Sequence, residues 1–81
     1  MERTHVESRI SSLTRDAIGE NYENGLSFTE MGMDSLDQVE LIMSVEKEFD
    51  VNVPDETLWE LIDTMDEQVL SGIVCRLLGV E

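Results

Sequence analysis

The sequence is poor in cysteine, histidine, proline and aromatic residues, and each shortage excludes a class of site or structure. Its 81 residues include one cysteine, one histidine and one proline, and 5% are aromatic. Because Cys75 is alone, neither an intramolecular disulfide nor a cysteine-based metal cluster can form, which fits a reducing cytoplasm. Cys75 lies in an apolar segment and is expected to be a small core residue.

Long hydrophobic runs are also missing. No apolar stretch is long enough to span a bilayer, and the N-terminal residues 1–9 lack the apolar stretch of a secretion signal. We therefore expect no membrane span and a cytoplasmic location.

Positive charge is scarce as well, since 5 basic residues face 19 acidic ones and the formal net charge is −14. Such a chain repels nucleic acid and anionic membranes and attracts basic protein patches. Its hydrophobic fraction of 41%, arranged with helical periodicity, indicates a folded domain rather than a disordered segment. The length predicts one domain, residues 1–81, which we expect to be monomeric.

The most informative stretch, residues 32–49, predicts a helix with two apolar faces. With Leu36 at 0° and about 100° per residue, one stripe falls between roughly 140° and 240°. This predicted core stripe contains Leu41, Ile42, Val45 and Phe49.

The second face lies nearly opposite the core stripe. It contains Leu36, Val39 and Met43, with Glu40 and Lys47 beside them and Glu46 on the flank. An apolar face bordered by charge is typical of a protein-docking surface, although isolated exposed apolar residues need no explanation. Periodicity alone leaves both interpretations open.

Ser35 stands at the predicted start of this helix. Asp34 can cap the helix, which would put Ser35 in the first turn, where free backbone N–H groups would stabilise a phosphate ester. A serine nucleophile needs a base, and the one histidine, His5, is near the N-terminus. Ser35 is therefore either a substrate for modification or merely part of a helix cap.

The motif around Ser35 resembles the acyl carrier protein family. The resemblance runs from about Phe28 to Glu56, and it is carried by Gly-Met-Asp-Ser-Leu-Asp at residues 32–37, Val-Glu-Leu at 39–41, Glu-Phe-Asp at 48–50 and Val-Pro-Asp at 53–55.

This resemblance implies a covalent cofactor. A separate phosphopantetheinyl transferase would esterify Ser35 with 4'-phosphopantetheine, with Asp34 and Leu36 completing the attachment site. The thiol of that arm would carry an acyl group as a thioester, so the chain would be a carrier and not an enzyme. Acyl-transferring and acyl-condensing enzymes would bring basic patches to the predicted partner-binding residues Asp37, Val39, Glu40, Met43 and Glu46.

Some positions depart from the family pattern. Lys47 places a positive charge on a face that is commonly acidic, and Asn52 replaces a common acidic residue. The C-terminal segment is a loose match to the carriers of bulk fatty acid synthesis. The pathway therefore stays open between fatty acid, polyketide and other specialised metabolism, including a peptidyl or aryl carrier.

The remaining patterns predict an all-α four-helix bundle with three longer helices and a short third one. The first helix carries an apolar stripe (Val6, Ile10, Leu13, Ala17 and Ile18), and the last one carries another (Val69, Leu70, Ile73, Val74 and Leu77). A long loop joins the first two helices, in which Leu26, Phe28 and Met31 are expected to close one end of the core.

Capping patterns predict the other helix starts. Thr4 and Thr64 each precede a glutamate by three residues, as in a capping box, and Asp55 can cap the short third helix. Trp59 is assigned to the core, and the boundary between the third and fourth helices is expected within residues 62–66.

Two other classes of protein are weighed against a carrier. A calcium-binding loop starting at Asp50 would have Pro54 at its fifth position, Asp55 where glycine is required, and Leu61 where a bidentate glutamate is required. That loop fails, and no metal site is predicted. An acidic interaction domain with an unmodified serine remains the alternative.

Overall fold

The chain folds into four α-helices in the predicted pattern of three longer helices and a short third one. The computed structural model describes residues 2–80, with α1 at Arg3–Ile18, α2 at Ser35–Phe49, α3 at Asp55–Leu61 and α4 at Glu67–Leu78. A 3₁₀ turn at Gly19–Asn21 extends α1, and residues 22–34 complete the long first connection. Residues 2–80 contain no strand, so the all-α prediction is confirmed.

The core draws on all four helices and on the long loop. The predicted stripe of α2 is buried throughout, as are Phe28 and Met31 of the loop, and Leu26 packs partly against them. The Phe28 N–H donates to the Met65 carbonyl at 2.9 Å, which ties the loop to the connection between α3 and α4. Cys75 is buried, as predicted.

Helices α1 and α2 run antiparallel. The Arg9 guanidinium of α1 donates to the Glu48 carboxylate at the end of α2, with Nη2 to Oε1 at 3.0 Å and Nε to Oε2 at 3.3 Å. Asp16, near the other end of α1, lines an open cavity together with Asp37 near the start of α2. The hydrogen bond from Arg9 holds the pKa of Glu48 below its usual range.

Three of the predicted caps are wrong. Thr4 lies inside α1, which already begins at Arg3, and Asp55 is the first residue of α3 rather than its cap. Thr64 lies in the turn that follows α3, where its N–H donates to the Leu61 carbonyl at 3.0 Å. Asp66 caps α4 instead, where its Oδ1 accepts from the Val69 N–H at 2.8 Å.

Three residues assigned to the core or to its apolar stripes are exposed, namely Trp59, Ala17 and Leu77, and Leu77 lies in the last turn of α4 with 43% exposure. Trp59 is 57% exposed, whereas Leu58 is the one residue of α3 that is buried. Trp59 follows Leu58 directly and is therefore rotated by about 100° around the helix, away from the core. Ala17 lies in the last turn of α1 and lines the open cavity beside α2. Thr14 is buried in α1 instead, with its hydroxyl donating to the Ile10 carbonyl at 2.7 Å.

The four helices differ in length, but none of those in residues 2–80 combines the length and the apolar character needed to cross a membrane.

The excess of negative charge predicts that salt stabilises the fold. The part of the chain that the structure describes holds two ion pairs, Arg3–Glu7 and Arg9–Glu48, so most carboxylates repel one another without local compensation. Added salt shortens the range of this repulsion to a Debye length of about 10 Å at 0.1 M.

We expect the melting temperature to rise by about 4–8 °C, the shift that corresponds to about 1 kcal/mol in a small domain. Circular dichroism melts across a sodium chloride titration, repeated with millimolar magnesium chloride, measure this. A melting temperature that stayed flat or fell would mean that internal contacts already neutralise the carboxylates.

Candidate functional site

A reciprocal capping box fixes the start of α2. Asp34 has the extended backbone of an N-cap residue, and its Oδ1 accepts from the Asp37 N–H at 2.8 Å. The Asp37 carboxylate in turn accepts from the Asp34 N–H at 3.3 Å. The predicted cap at Asp34 is confirmed, and Ser35 is consequently the first residue of the helix.

The surroundings of Ser35 suit a phosphate ester. Ser35 is exposed, and the backbone N–H groups of Ser35 and Leu36 lie in the first turn, where a helix supplies no acceptor for them. These N–H groups and the positive end of the helix dipole stabilise a phosphate oxygen. Asp34 and Asp37 oppose this by repulsion, but each carboxylate already accepts a backbone hydrogen bond. The residues present therefore fit a phosphate-linked group.

A tight turn delivers the chain to Ser35. The Met33 N–H donates to the Phe28 carbonyl at 3.0 Å, and Gly32 closes the turn with a φ of 91°, a conformation that L side chains rarely adopt. Gln38 of α2 stabilises this turn, since its Nε2 donates to the Thr29 hydroxyl at 3.3 Å and to the Met33 carbonyl at 3.5 Å.

Gln38 is a residue that the sequence reasoning missed. Its side chain is buried with 2% exposure, and its Oε1 accepts no hydrogen bond from the described residues. The signal was available, because Gln38 falls at about 200° on the helical projection, inside the core stripe. A polar residue at a core angle indicates a buried hydrogen bond to a nearby segment.

The structure also locates His5 relative to Ser35. His5 is close enough to Glu48 to contribute, after Arg9, to lowering the pKa of that carboxyl. Glu48 is thirteen residues beyond Ser35 in α2, which corresponds to about 20 Å of helix. His5 is therefore at the wrong end of α2 to act as a base for Ser35.

Two of the three apolar residues predicted on the outer face of α2 are exposed. Leu36 is 64% exposed and Met43 is 61% exposed, and Glu40 is exposed near them. Val39 differs from the prediction, because it is half-buried and packs partly against the core.

Glu46, predicted on the flank of this face, has an intramolecular partner. Its Oε2 accepts from the Val53 N–H at 2.7 Å, which fastens the segment after α2 to the helix. The Glu46 carboxylate therefore has a structural role as a hydrogen-bond acceptor. The role of Glu46 in partner binding stays a prediction.

Metal ligands do not cluster within residues 2–80, where no group of three or more histidine, cysteine or carboxylate side chains is arranged to hold an ion. The segment that starts at Asp50, which would have to form a calcium loop, is largely helical, since α3 occupies Asp55–Leu61.

Comparison with known proteins assigns the family. A search of solved structures found no match. The family model described as "Phosphopantetheine attachment site" matches residues 8–69, which include the capping box, Ser35 and all of α2 and α3. Domains of this kind are carriers that interact with a phosphopantetheinyl transferase and with the enzymes of their pathway. Because the match covers more than half of the chain, the protein belongs to the phosphopantetheine attachment site family, whose members carry covalently bound 4'-phosphopantetheine.

Proposed function

We propose that the protein is an acyl carrier protein in which Ser35 carries 4'-phosphopantetheine and residues 1–81 form the carrier domain. The thiol of this arm holds an acyl intermediate as a thioester for partner enzymes of fatty acid, polyketide or related acyl biosynthesis. The observation that supports this proposal is an exposed serine at the first residue of a capped helix, inside the segment that the family model matches.

The neighbours of Ser35 have distinct roles in this proposal. Asp34 fixes the helix start through its hydrogen bond from the Asp37 N–H, so the Ser35 hydroxyl is held at a constant position. Leu36 offers the transferase an exposed apolar contact beside that hydroxyl. The chain itself is not an enzyme in this proposal, since attachment and later transfers are catalysed by its partners.

Mass spectrometry tests the attachment. The purified protein is incubated with coenzyme A, magnesium and a broad-specificity phosphopantetheinyl transferase, and its intact mass is measured. We expect a gain of one phosphopantetheine, and fragmentation of the modified peptide should locate it at Ser35. No gain with several different transferases, or a gain at another residue, would contradict the proposal.

The cargo is tested on the modified protein. The runner-up function is a peptidyl or aryl carrier, which would use the same arm for an aminoacyl or aryl thioester. Parallel incubations with an acyl-loading enzyme and with aminoacyl- and aryl-adenylating enzymes compare the loading rates. Preferential formation of the acyl thioester supports an acyl carrier, and preferential aminoacyl or aryl loading favours the runner-up.

The outer face of α2 is proposed as the main docking surface, with Asp37, Val39, Glu40, Met43 and Glu46 as its partner-binding residues. Glu40→Lys is expected to raise the KM of the transferase for this protein about tenfold at low salt, because attraction to a basic patch becomes repulsion. The difference from wild type should shrink as salt screens the contact.

Glu2→Lys is the matched control for Glu40→Lys. It makes the same change of charge at an exposed residue just before α1, and the antiparallel arrangement places it far from Ser35. An equal effect of the two substitutions would mean that the transferase senses only total charge and has no defined contact at Glu40.

A further inference from the structure

The buried amide of Gln38 uses its donors and leaves its acceptor unpaired. Gln38 is the one polar residue among the buried residues of α2. Its Nε2 carries two hydrogens and has two acceptors, whereas its Oε1 accepts from none of residues 2–80. Because a carbonyl can only accept, the amide atom that faces the Met33 carbonyl must be the nitrogen. The two donor bonds therefore fix the orientation of the amide.

Stability alone does not account for this amide. A buried acceptor without a partner keeps the cost of its lost contacts with water, and an apolar side chain of the same size avoids that cost. Gln38 lies within the core stripe of α2, where its buried neighbours along the helix are apolar. What the amide adds, and an apolar side chain cannot supply, is its hold on two groups of the preceding loop.

Those two groups lie at the two ends of one turn. The Gly32 N–H donates to the Thr29 carbonyl at 3.0 Å, so the turn opens at Thr29 and leads into Met33. The Gln38 amide binds the Thr29 hydroxyl at one end and the Met33 carbonyl at the other. One side chain of α2 thus fixes the whole turn against the helix that it precedes.

The Met33 carbonyl belongs to the same planar peptide unit as the Asp34 N–H. The carbonyl side accepts from Gln38 Nε2, and the N–H side donates to the Asp37 carboxylate at 3.3 Å. The next peptide unit joins Asp34 to Ser35, and its carbonyl accepts from the Gln38 backbone N–H at 3.1 Å. Gln38 therefore binds both peptide units of the residue that directly precedes Ser35.

We propose that Gln38 is a positioning residue for the attachment at Ser35. Its amide holds the peptide unit before Asp34, which keeps the cap and the Ser35 side chain at one position relative to the phosphate of coenzyme A. The proposal rests on the proposed function, because it takes Ser35 to be the attacking residue.

The attachment step is sensitive to that position. The Ser35 oxygen forms a bond to phosphorus, the bond from phosphorus to the adenosine 3',5'-bisphosphate leaving group breaks, and the hydroxyl proton passes to a base of the transferase. The attacking and leaving oxygens must be roughly in line, so the rate depends mainly on how well the groups are placed.

Gln38→Met tests the proposal, because methionine has a similar size and flexibility but no amide. Transferase is used in excess over the carrier at saturating coenzyme A, so that a single attachment is followed by intact mass. We expect the maximal rate to fall about tenfold, as for a misplaced reacting group. The half-saturating transferase concentration should stay within about twofold of wild type, because the exposed residues Leu36 and Met43 are unchanged.

Thr14→Val is the matched control. Thr14 is also polar and fully buried, but its hydroxyl donates to the Ile10 carbonyl of its own helix at 2.7 Å and makes no bond to the loop. The attachment rate of this variant should stay within about twofold of wild type.

Thr29→Val removes one of the two acceptors of Gln38 from an exposed residue, so it leaves the core unchanged. We expect the maximal rate to fall about threefold in the wild-type background, since the bond to Met33 remains. The same substitution should cause no further loss in Gln38→Met, because the two residues act through one hydrogen bond.

Two further measurements separate positioning from stability. Gln38→Met should melt no more than about 4 °C below wild type by circular dichroism, because it removes an unpaired buried acceptor. Its ¹⁵N order parameters should fall at the amides of Met33, Asp34 and Ser35 and stay unchanged in α1 and α4.

An unchanged maximal rate for Gln38→Met, or a slower rate with unchanged order parameters at these amides, would overturn the positioning role even if wild type is modified normally. If Gln38→Met does not fold, Thr29→Val decides instead, and a rate equal to that of wild type overturns the proposal. A wild-type protein that is never modified would contradict the proposed function itself.

Discussion

Ser35→Ala is expected to abolish attachment of phosphopantetheine completely while leaving the fold intact. The substitution removes the one oxygen at this position to which the phosphate can be esterified. The cap of α2 depends on Asp34 and Asp37 and not on the Ser35 hydroxyl, so the helix start should persist. Intact mass after incubation with coenzyme A and transferase measures the loss, and a circular dichroism melt checks the fold.

Ser44→Ala is the matched control for this experiment. Ser44 is another exposed serine of α2, but it lies inside the helix, where its hydroxyl donates to the Glu40 carbonyl at 3.2 Å. We expect full modification of this variant. A phosphopantetheine mass on Ser35→Ala would show that another residue is the attachment site.

The core face of α2 was predictable because a helix repeats its side-chain directions every 3.6 residues. Leu41, Ile42, Val45 and Phe49 share one face by that geometry alone, and all four are buried. Val39 was less predictable, since it lies at the edge of the opposite face. How far an edge residue is covered depends on neighbouring elements, which one helix's periodicity does not specify.

The helix starts were predicted less well because capping residues are common outside caps. Thr64 and Asp66 are both residue types that cap helices, and Thr64 even has a glutamate three residues later, as in a capping box, whereas Asp66 has Val69 there. The structure selects Asp66, because Thr64 already completes the turn that ends α3. That choice depends on where the preceding helix ends, which the sequence pattern leaves open by several residues.

The candidate site was predictable at its centre and not in its supports. Asp34 before an apolar helical pattern identifies a cap, so Ser35 could be assigned to the first turn from the sequence. The hydrogen bonds from Gln38 to Thr29 and Met33 join a helix to a loop. Such contacts depend on how the loop folds back, and the loop has no periodicity from which its path could be predicted.

Substitutions on the two faces of α2 should change different properties: those on the core face should lower stability, and those on the outer face should weaken partner binding. Phe49 is 6% exposed and ends the core stripe, and truncating a buried phenylalanine to alanine typically costs about 3–5 kcal/mol. A domain of this size has a total stability of about 4–12 kcal/mol. Phe49→Ala is therefore expected to unfold the protein or to lower its melting temperature severely, as measured by circular dichroism and urea titration.

Met43→Ala removes another large apolar side chain of α2, but from the opposite face, where it is 61% exposed. Because little of that side chain leaves water on folding, its loss should move the melting temperature by no more than about 2 °C. The same variant should raise the KM of the transferase or of a downstream acyl enzyme, since the outer face is the proposed docking surface. If Met43→Ala proved as destabilising as Phe49→Ala, the outer face would belong to the core, and the assignment of α2 as a helix with one structural and one docking face would be wrong.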